Sequence, residues 1–212
     1  MTTLYLVRHG ETDWNLARRI QGSTDIPLNE TGRAQATTTG RLLASRNWDA
    51  VVSSPLGRAL ETAQLIASQV GLGSPEIVDA LAERNYGSAE GMTGSQIDAR
   101  WPDGAEVPGR ESREQVTARV LPALVEIAER HPDQAVIVVS HGGVIRSVLN
   151  EVEPGKAANE LIRNGSVHSF RHVDGALELI AFDDPIEEES LECATAELEE
   201  QNAVEQREAL AR

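Results

Sequence analysis

The chain has 212 residues, enough for one domain whose core needs no disulfide or metal to hold it together. It carries 19 basic against 34 acidic residues, a net charge of −15, and only 3% aromatic residues. A groove that tracks nucleic-acid phosphates and stacks bases wants the opposite on both counts. A single cysteine, Cys193, excludes an internal disulfide framework and a multi-cysteine zinc site. The longest apolar run, 135–139, is too short to span a membrane. The charge is uneven: 11 of the 34 acidic residues but two of the 19 basic ones fall in 183–212. The body, 1–182, is therefore only mildly acidic, and 183–212 reads as an acidic C-terminal tail, helical or disordered.

Residues 4–7 form a short apolar strand, stopped by Arg8, His9 and Gly10. With no leader segment before that strand, a cytoplasmic location is expected. A polar loop through Gln21, Gly22 and Ser23 reaches Pro27. A helix follows over 29–46, capped by Asn29 or Thr31 and weakened by internal threonines and Gly40. Residues 49–53 make a second strand. Ser54 is placed to cap the next helix and Pro55 fits its first position. Leu56, Ala59, Leu60, Ala63, Ala67 and Val70 then form a stripe at helical spacing that Gly71 ends. Residues 76–79 read as strand. Five glycines and two prolines across 84–110 predict mostly loop. Ser112 opens a long helix to Arg130, interrupted by Pro122. Residues 135–140 are almost wholly apolar, as in a strand buried on both faces. Gly142 and Gly143 lead into a helix over 144–151. Strands at 167–173 and 177–182 flank Asp174-Gly175, a strong hairpin signal. This alternation predicts an α/β fold: a three-layer sandwich, mostly parallel central sheet, helices on both faces and one antiparallel hairpin edge.

In open α/β sheets, ligands bind beyond the carboxyl ends of the strands. The first strand delivers Arg8, His9 and Gly10 there. The second delivers Ser53, Ser54 and, one helical turn on, Arg58. The third apolar segment is followed by Glu83 and Arg84, and the buried strand by His141, Gly142 and Gly143. Two arginines suit a phosphoryl group, because each offers a planar fork of donors matched to its oxygens. Gly10 and Gly142 permit close backbone approach. A neutral imidazole with one nitrogen free and the other held as N–H is a competent nucleophile. A nearby carboxyl group can protonate a leaving alkoxide. Arginines and a second histidine can neutralise the transferring oxygens without a metal. The sequence has no glycine-rich nucleotide loop and no aspartate cluster for a metal.

The run Leu6-Val7-Arg8-His9-Gly10-Glu11-Thr12, with Trp14 and Asn15, resembles the signature of the histidine phosphatase superfamily, also called phosphoglycerate mutase-like. The likeness continues through Gln21-Gly22, Pro27-Leu28 and 31–35, then Ser53-Ser54-Pro55, Arg58-Ala59 and 61–63. It includes Glu83, Tyr86-Gly87 and Glu90-Gly91, ends its motifs at 138–143, and spans roughly 3–182. The resemblance implies that His9 is the nucleophile and becomes a phosphohistidine. It implies that Arg8, Arg58 and His141 bind the phosphoryl oxygens, and that Glu83 protonates the leaving group and then activates water. Asn15, Gln21 and Gly22 would contact phosphate or substrate, and no metal or organic cofactor is implied. The segment 84–115, with Arg84, Tyr86, Trp101, Arg110 and Arg113, would read the substrate as a cover over the site.

The expected activity is that of a metal-independent phosphomonoester hydrolase, taking a small-molecule phosphoester and releasing inorganic phosphate. The alternative is a 2,3-bisphosphoglycerate-dependent phosphoglycerate mutase, whose version of this segment Glu83 to Gly87 resembles. Mutases follow it with a lysine and later with paired arginines; here 92–97 has no lysine and no Arg-Arg pair follows. Residues 108–112 instead resemble the phosphatase branch, with Arg110 inserted. A catalytically inactive phospho-ligand binding module would have lost His9 or Glu83, and both are present. Neither nucleic acid nor membrane is an expected partner. Dimers are common in the family, and 167–182 offers an edge for a homodimer. His168 and His172 share a strand face at period two and read as surface or edge residues rather than metal ligands. His131 belongs to a helix end.

Overall fold

The structure is a computed structural model that describes residues 1–154, 161–184 and 186. Its strands are β1 (Thr3–Arg8), β2 (Ala50–Ser53), β3 (Glu76–Ile77), β4 (Ala135–Ser140), β5 (Val167–Val173) and β6 (Ala176–Ala181). Its helices are α1 (Asp13–Leu16), α2 (Glu30–Leu43), α3 (Gly57–Val70), α4 (Gly94–Arg100), α5 (Arg113–Arg130) and α6 (Gly142–Val152). The strands form one sheet in the order β3-β2-β4-β1-β5-β6. β3, β2, β4 and β1 run parallel; β5 is antiparallel to β1, and β6 to β5. The period-two alternation of the strands sets the layers. Leu4, Leu6, Val136 and Val138 face α5 and α6 through Val120, Leu124, Ile145 and Val148. Val7, Ile137 and Val139 face α3 and the end of α2 through Ala63, Ile66 and Leu43. The expected α/β sandwich, with helices on both faces and a hairpin edge, is what forms.

The elements match their predicted places with instructive exceptions. Asn29, not Thr31, caps α2, its side chain accepting from the Gly32 N–H. Helix α3 begins at Gly57 rather than Pro55, and Ser54 does not cap it. Asp25 does so from the preceding loop: its Oδ2 accepts the Gly57 N–H at 2.6 Å and its Oδ1 the Arg58 N–H at 3.5 Å. The segment 84–110 is not all loop, because it contains α4. Thr93 and Gln96 close a reciprocal capping box there, and Ile97 turns into a small core cluster. Pro122 lies inside a continuous α5, where it and Ala118, four residues back, both face solvent. Water can therefore satisfy the carbonyl that proline leaves unbonded. Asp174 (φ 49°) and Gly175 (φ 80°) make the β5–β6 turn with two positive φ angles, as a tight hairpin requires.

His168 corrects its sequence reading. It is buried, donates from Nε2 to the Ser166 hydroxyl at 2.9 Å and accepts at Nδ1 from the Asp183 N–H at 3.1 Å. The Phe182 ring covers it, with centroids 4.6 Å apart, so this strand face is not open to solvent at His168. No helix among the described residues is long and apolar enough to cross a membrane. Cys193 and the tail beyond Ile186 lie outside the described residues.

Candidate active site

Strand register brings the two histidines together. Arg8 ends β1 opposite Ser140, which ends β4, so His9 and His141 leave the sheet side by side. Their ring centroids lie 5.1 Å apart, with the planes at 61°. Ser53 ends β2 against Val139, which puts Ser54 on the same edge. Arg58 sits in the first turn of α3 and reaches back to His9. Arg8, His9, Arg58, Glu83 and His141 are each at most 4% exposed.

The His9 ring is fixed from both sides. Its Nδ1 lies 2.6 Å from the Gly10 carbonyl, which can only accept, so Nδ1 carries the proton and Nε2 the lone pair. The Arg58 Nε–H reaches that Nε2 at 3.3 Å. Gly10 is itself held: its N–H donates to Thr62 Oγ1 at 3.1 Å, and that hydroxyl donates to the Arg58 carbonyl at 2.8 Å. A Cβ on Gly10 would strike the Gly32 carbonyl, and one on Gly32 would strike that of Glu11. The start of α2 thus packs directly on the backbone beside the histidine. Asn164 Nδ2 donates to the His9 carbonyl at 2.8 Å and approaches Asn15 Oδ1 at 3.4 Å, joining Asn15 to the His9 backbone.

The arginines are anchored as well. Arg8 Nη1 donates to the Ile162 carbonyl at 2.6 Å, and its side chain lies over Gly142, where a Cβ would come within 3.4 Å of Nε. Arg58 donates to the carbonyls of Gly22 at 2.8 Å and Thr24 at 3.0 Å, and pairs with Asp25 at 3.4 Å. Gly22 takes a positive φ of 58°, and Gln21 beside it is buried with Oε1 unpartnered. Glu90 fixes this loop: one oxygen accepts the Ser23 and Tyr86 N–H groups, the other the Thr24 N–H and hydroxyl.

That use of Glu90 separates the two carboxylates of the segment. Glu83 takes the Arg84 N–H at 2.8 Å on Oε1 and the Gly143 N–H at 3.2 Å on Oε2, which places its carboxylate at the start of α6, two residues beyond His141. Its backbone is clamped by Arg119, which donates to the carbonyls of Ala80, Ala82 and Glu83 and pairs with both Glu111 oxygens. The substrate-reading pair expected on this segment is placed differently. Tyr86 is buried in an apolar cluster with Ile20, Ala89, Ile97 and Val107, and Arg84 lies against its ring with Nε on the Glu111 carbonyl at 2.8 Å. A cleft of about 500 Å³ borders Glu83, Asn85, Arg110 and Glu111, and none of His9, Arg58 or His141 lines it.

Burial above all, then the charges of Arg58 and Arg8, push His9 well below the usual 6.5; the Gly10 carbonyl opposes this only in part. Burial likewise lowers His141, aided by Arg58, His9, Arg8 and Arg119. Both rings are therefore neutral at physiological pH. Burial also lowers Arg58, against the opposing charges of Glu83, Asp25 and Glu90. A buried neutral imidazole whose unprotonated Nε2 is held only by a long contact from Arg58 can attack phosphorus, with two guanidinium groups beside it to balance the phosphoryl charge. The sequence places Ser54 on this edge without its bond to His141, and gives no sign of Thr62, Asn164, Asp25 or Arg119 as supports of the site. Each acts through a partner distant in the chain, so no local pattern announces it.

Residues 4–185 match the model of the histidine phosphatase superfamily (branch 1). The uncharacterized phosphatase PhoE of Bacillus subtilis is 43% identical over 155 residues, covering 73% of this chain and 79% of that one. The metal-independent phosphoserine phosphatase of Arabidopsis thaliana is 37% identical over 182 residues, 79% of this chain and 75% of that one. Among solved structures, a mycobacterial glucosyl-3-phosphoglycerate phosphatase in complex with VO3 superposes with a TM-score of 0.76 at 31% identity. It covers 85% of this chain and 98% of that one. The fold and the relatives define a phosphatase. The chain belongs to the histidine phosphatase superfamily.

Proposed function

We propose that this protein hydrolyses small phosphomonoesters in two steps, through a phosphohistidine on His9 and without a metal ion. The observation that carries the reading is the His9 ring, with Nδ1–H on the Gly10 carbonyl and Nε2 turned to Arg58. In the first step Nε2 attacks phosphorus, the P–O bond to the leaving group breaks, and Glu83 gives its proton to the departing oxygen. Arg8, Arg58 and His141 hold the three phosphoryl oxygens. In the second step Glu83 takes a proton from water as the water oxygen attacks phosphorus. The P–N bond breaks and inorganic phosphate leaves. Phosphoserine and esters of the 3-phosphoglycerate type, the substrates in the relatives' names, head the substrate panel.

The mutase alternative uses the same site and differs only in what takes the phosphoryl group back. The missing lysine in 92–97 and the absent arginine pair favour water as acceptor. The test is an assay with EDTA present, on 3-phosphoglycerate and a panel of phosphomonoesters, following inorganic phosphate and 2-phosphoglycerate together. Phosphate release without isomer is expected. Isomer formation that requires 2,3-bisphosphoglycerate, with little phosphate released, would overturn the proposal.

A further inference from the structure

The two site histidines differ in what holds them. His9 is pinned by a carbonyl, His141 by a hydroxyl, and a hydroxyl can donate or accept. Ser54 is fully buried, and its Oγ lies 2.7 Å from His141 Nε2. The Leu56 N–H also donates to that Oγ, at 3.3 Å. If His141 Nε2 donated as well, Oγ would accept twice, and its own proton would have no acceptor among the described residues. Leaving a buried donor unpaired is costly, because the water it gave up is not replaced. The other arrangement satisfies every group of Ser54 and leaves open only the far nitrogen of the ring: the Leu56 N–H donates to Oγ, and the Ser54 O–H donates to Nε2. The neutral ring must then carry its proton on Nδ1. That nitrogen is buried and has no partner, on a ring packed against His9.

The geometry points to Ser54 as a positioning residue that fixes the tautomer of His141, so that an Nδ1–H, not a lone pair, faces a phosphoryl oxygen on His9. Both rings are then Nδ1–H tautomers that present opposite nitrogens: His9 offers its bare Nε2 to phosphorus, and His141 offers its N–H to oxygen. Because His141 is held neutral, it can donate into the site only in this tautomer. The use of that N–H rests on the phosphohistidine reading; the tautomer is a property of the resting protein and can be read without turnover.

The test is the ¹⁵N spectrum of the histidine side chains at neutral pH, with His141 assigned by substitution. A bare Nε2 and a protonated Nδ1 are expected in the wild type. In Ser54→Ala, Nε2 should move toward the protonated position, and kcat/KM should fall about tenfold, less than the 10²- to 10³-fold typical of deleting an oxyanion donor outright. A His141→Gln background adds a cycle: there the second change, Ser54→Ala, should cost less than twofold, since the ring it orients is gone. A protonated Nε2 in the wild type overturns the assignment, as does an equal tenfold loss in both backgrounds. Failure of His9 to take a phosphoryl label would sink the catalytic reading alone, because the nitrogen shifts settle the tautomer regardless.

Discussion

Arg8, His9 and His141 stand at the ends of parallel strands, where ladder hydrogen bonds fix their spacing before any side chain acts. The segment from Ala80 to Ser112 has no such frame. It is tied down by Arg119 on Glu111 and on three carbonyls, by Glu90 gripping the 23–24 loop, and by a small cluster around Tyr86. Glu83 belongs to both regions, its backbone on the clamp and its carboxylate at the strand ends. The contrast shows how one phosphoryl site can serve different leaving groups. Chemistry is set by sheet register, which a substitution cannot easily retune. The flank is set by side-chain anchors that can be exchanged one at a time.

Breaking the strand-end region should have the largest effect. His9→Ala removes the proposed nucleophile, and kcat should fall on the order of 10⁴-fold or more. Inorganic phosphate should still raise the melting temperature of that variant, because Arg8, Arg58 and His141 remain. Phosphate release within tenfold of wild type would remove His9 from the chemistry. Glu83→Gln comes next, with a loss of about 10²- to 10³-fold on alkyl phosphates. Aryl phosphates, whose leaving groups depart without a proton, should lose far less. Equal losses on both classes would reduce Glu83 to a support for Arg84 and Gly143.

The same contrast explains what the sequence made legible. Strand-end residues follow short apolar runs, so Arg8, His9, Ser54 and His141 could be placed on one edge before any coordinates were seen. The hairpin was legible because Asp174-Gly175 carries its turn chemistry locally. Side-chain anchoring was not legible. Ser54 looked like a helix cap because serine before proline is a local signal, yet Asp25 wins that position from across the chain. Glycines and prolines hid α4, although Thr93 and Gln96 spelled its capping box. His168 reads as an edge residue because Asp183, which completes its hydrogen bonds, reaches it only after β6 folds back on β5.

On the flank, Glu90→Ala should sharpen the comparison. It frees the Ser23 and Thr24 N–H groups and loosens the loop whose carbonyls receive Arg58. A stability loss of about 1–3 kcal/mol is expected from the abandoned donors, measured by urea unfolding. KM should rise more than kcat falls, because that loop holds Arg58, the proposed phosphoryl ligand, in place. A kcat loss as large as that of Glu83→Gln would mean that Glu90 is the proton donor instead.

The smallest effect belongs to Glu111. Partial burial alone would raise its pKa, but hydrogen bonds from Arg119 and the Asn85 N–H, with the charges of Arg119 and Arg84, hold it below the usual 4.5. A carboxylate lowered in the folded state adds stability that is fully present above its unfolded value and is lost as pH falls through the folded one. Glu111→Gln should therefore cost about 1 kcal/mol at neutral pH, allowing for screening of a partly exposed pair. The two proteins should converge in stability only at acid pH, once pH falls through the depressed folded-state pKa and the wild-type carboxylate takes up its proton. Phosphohistidine formation on His9 should change less than twofold, since Arg119 keeps its bonds to the Ala80, Ala82 and Glu83 carbonyls. A variant that keeps its full deficit at low pH would show that Glu111 supports the flank by shape rather than by charge.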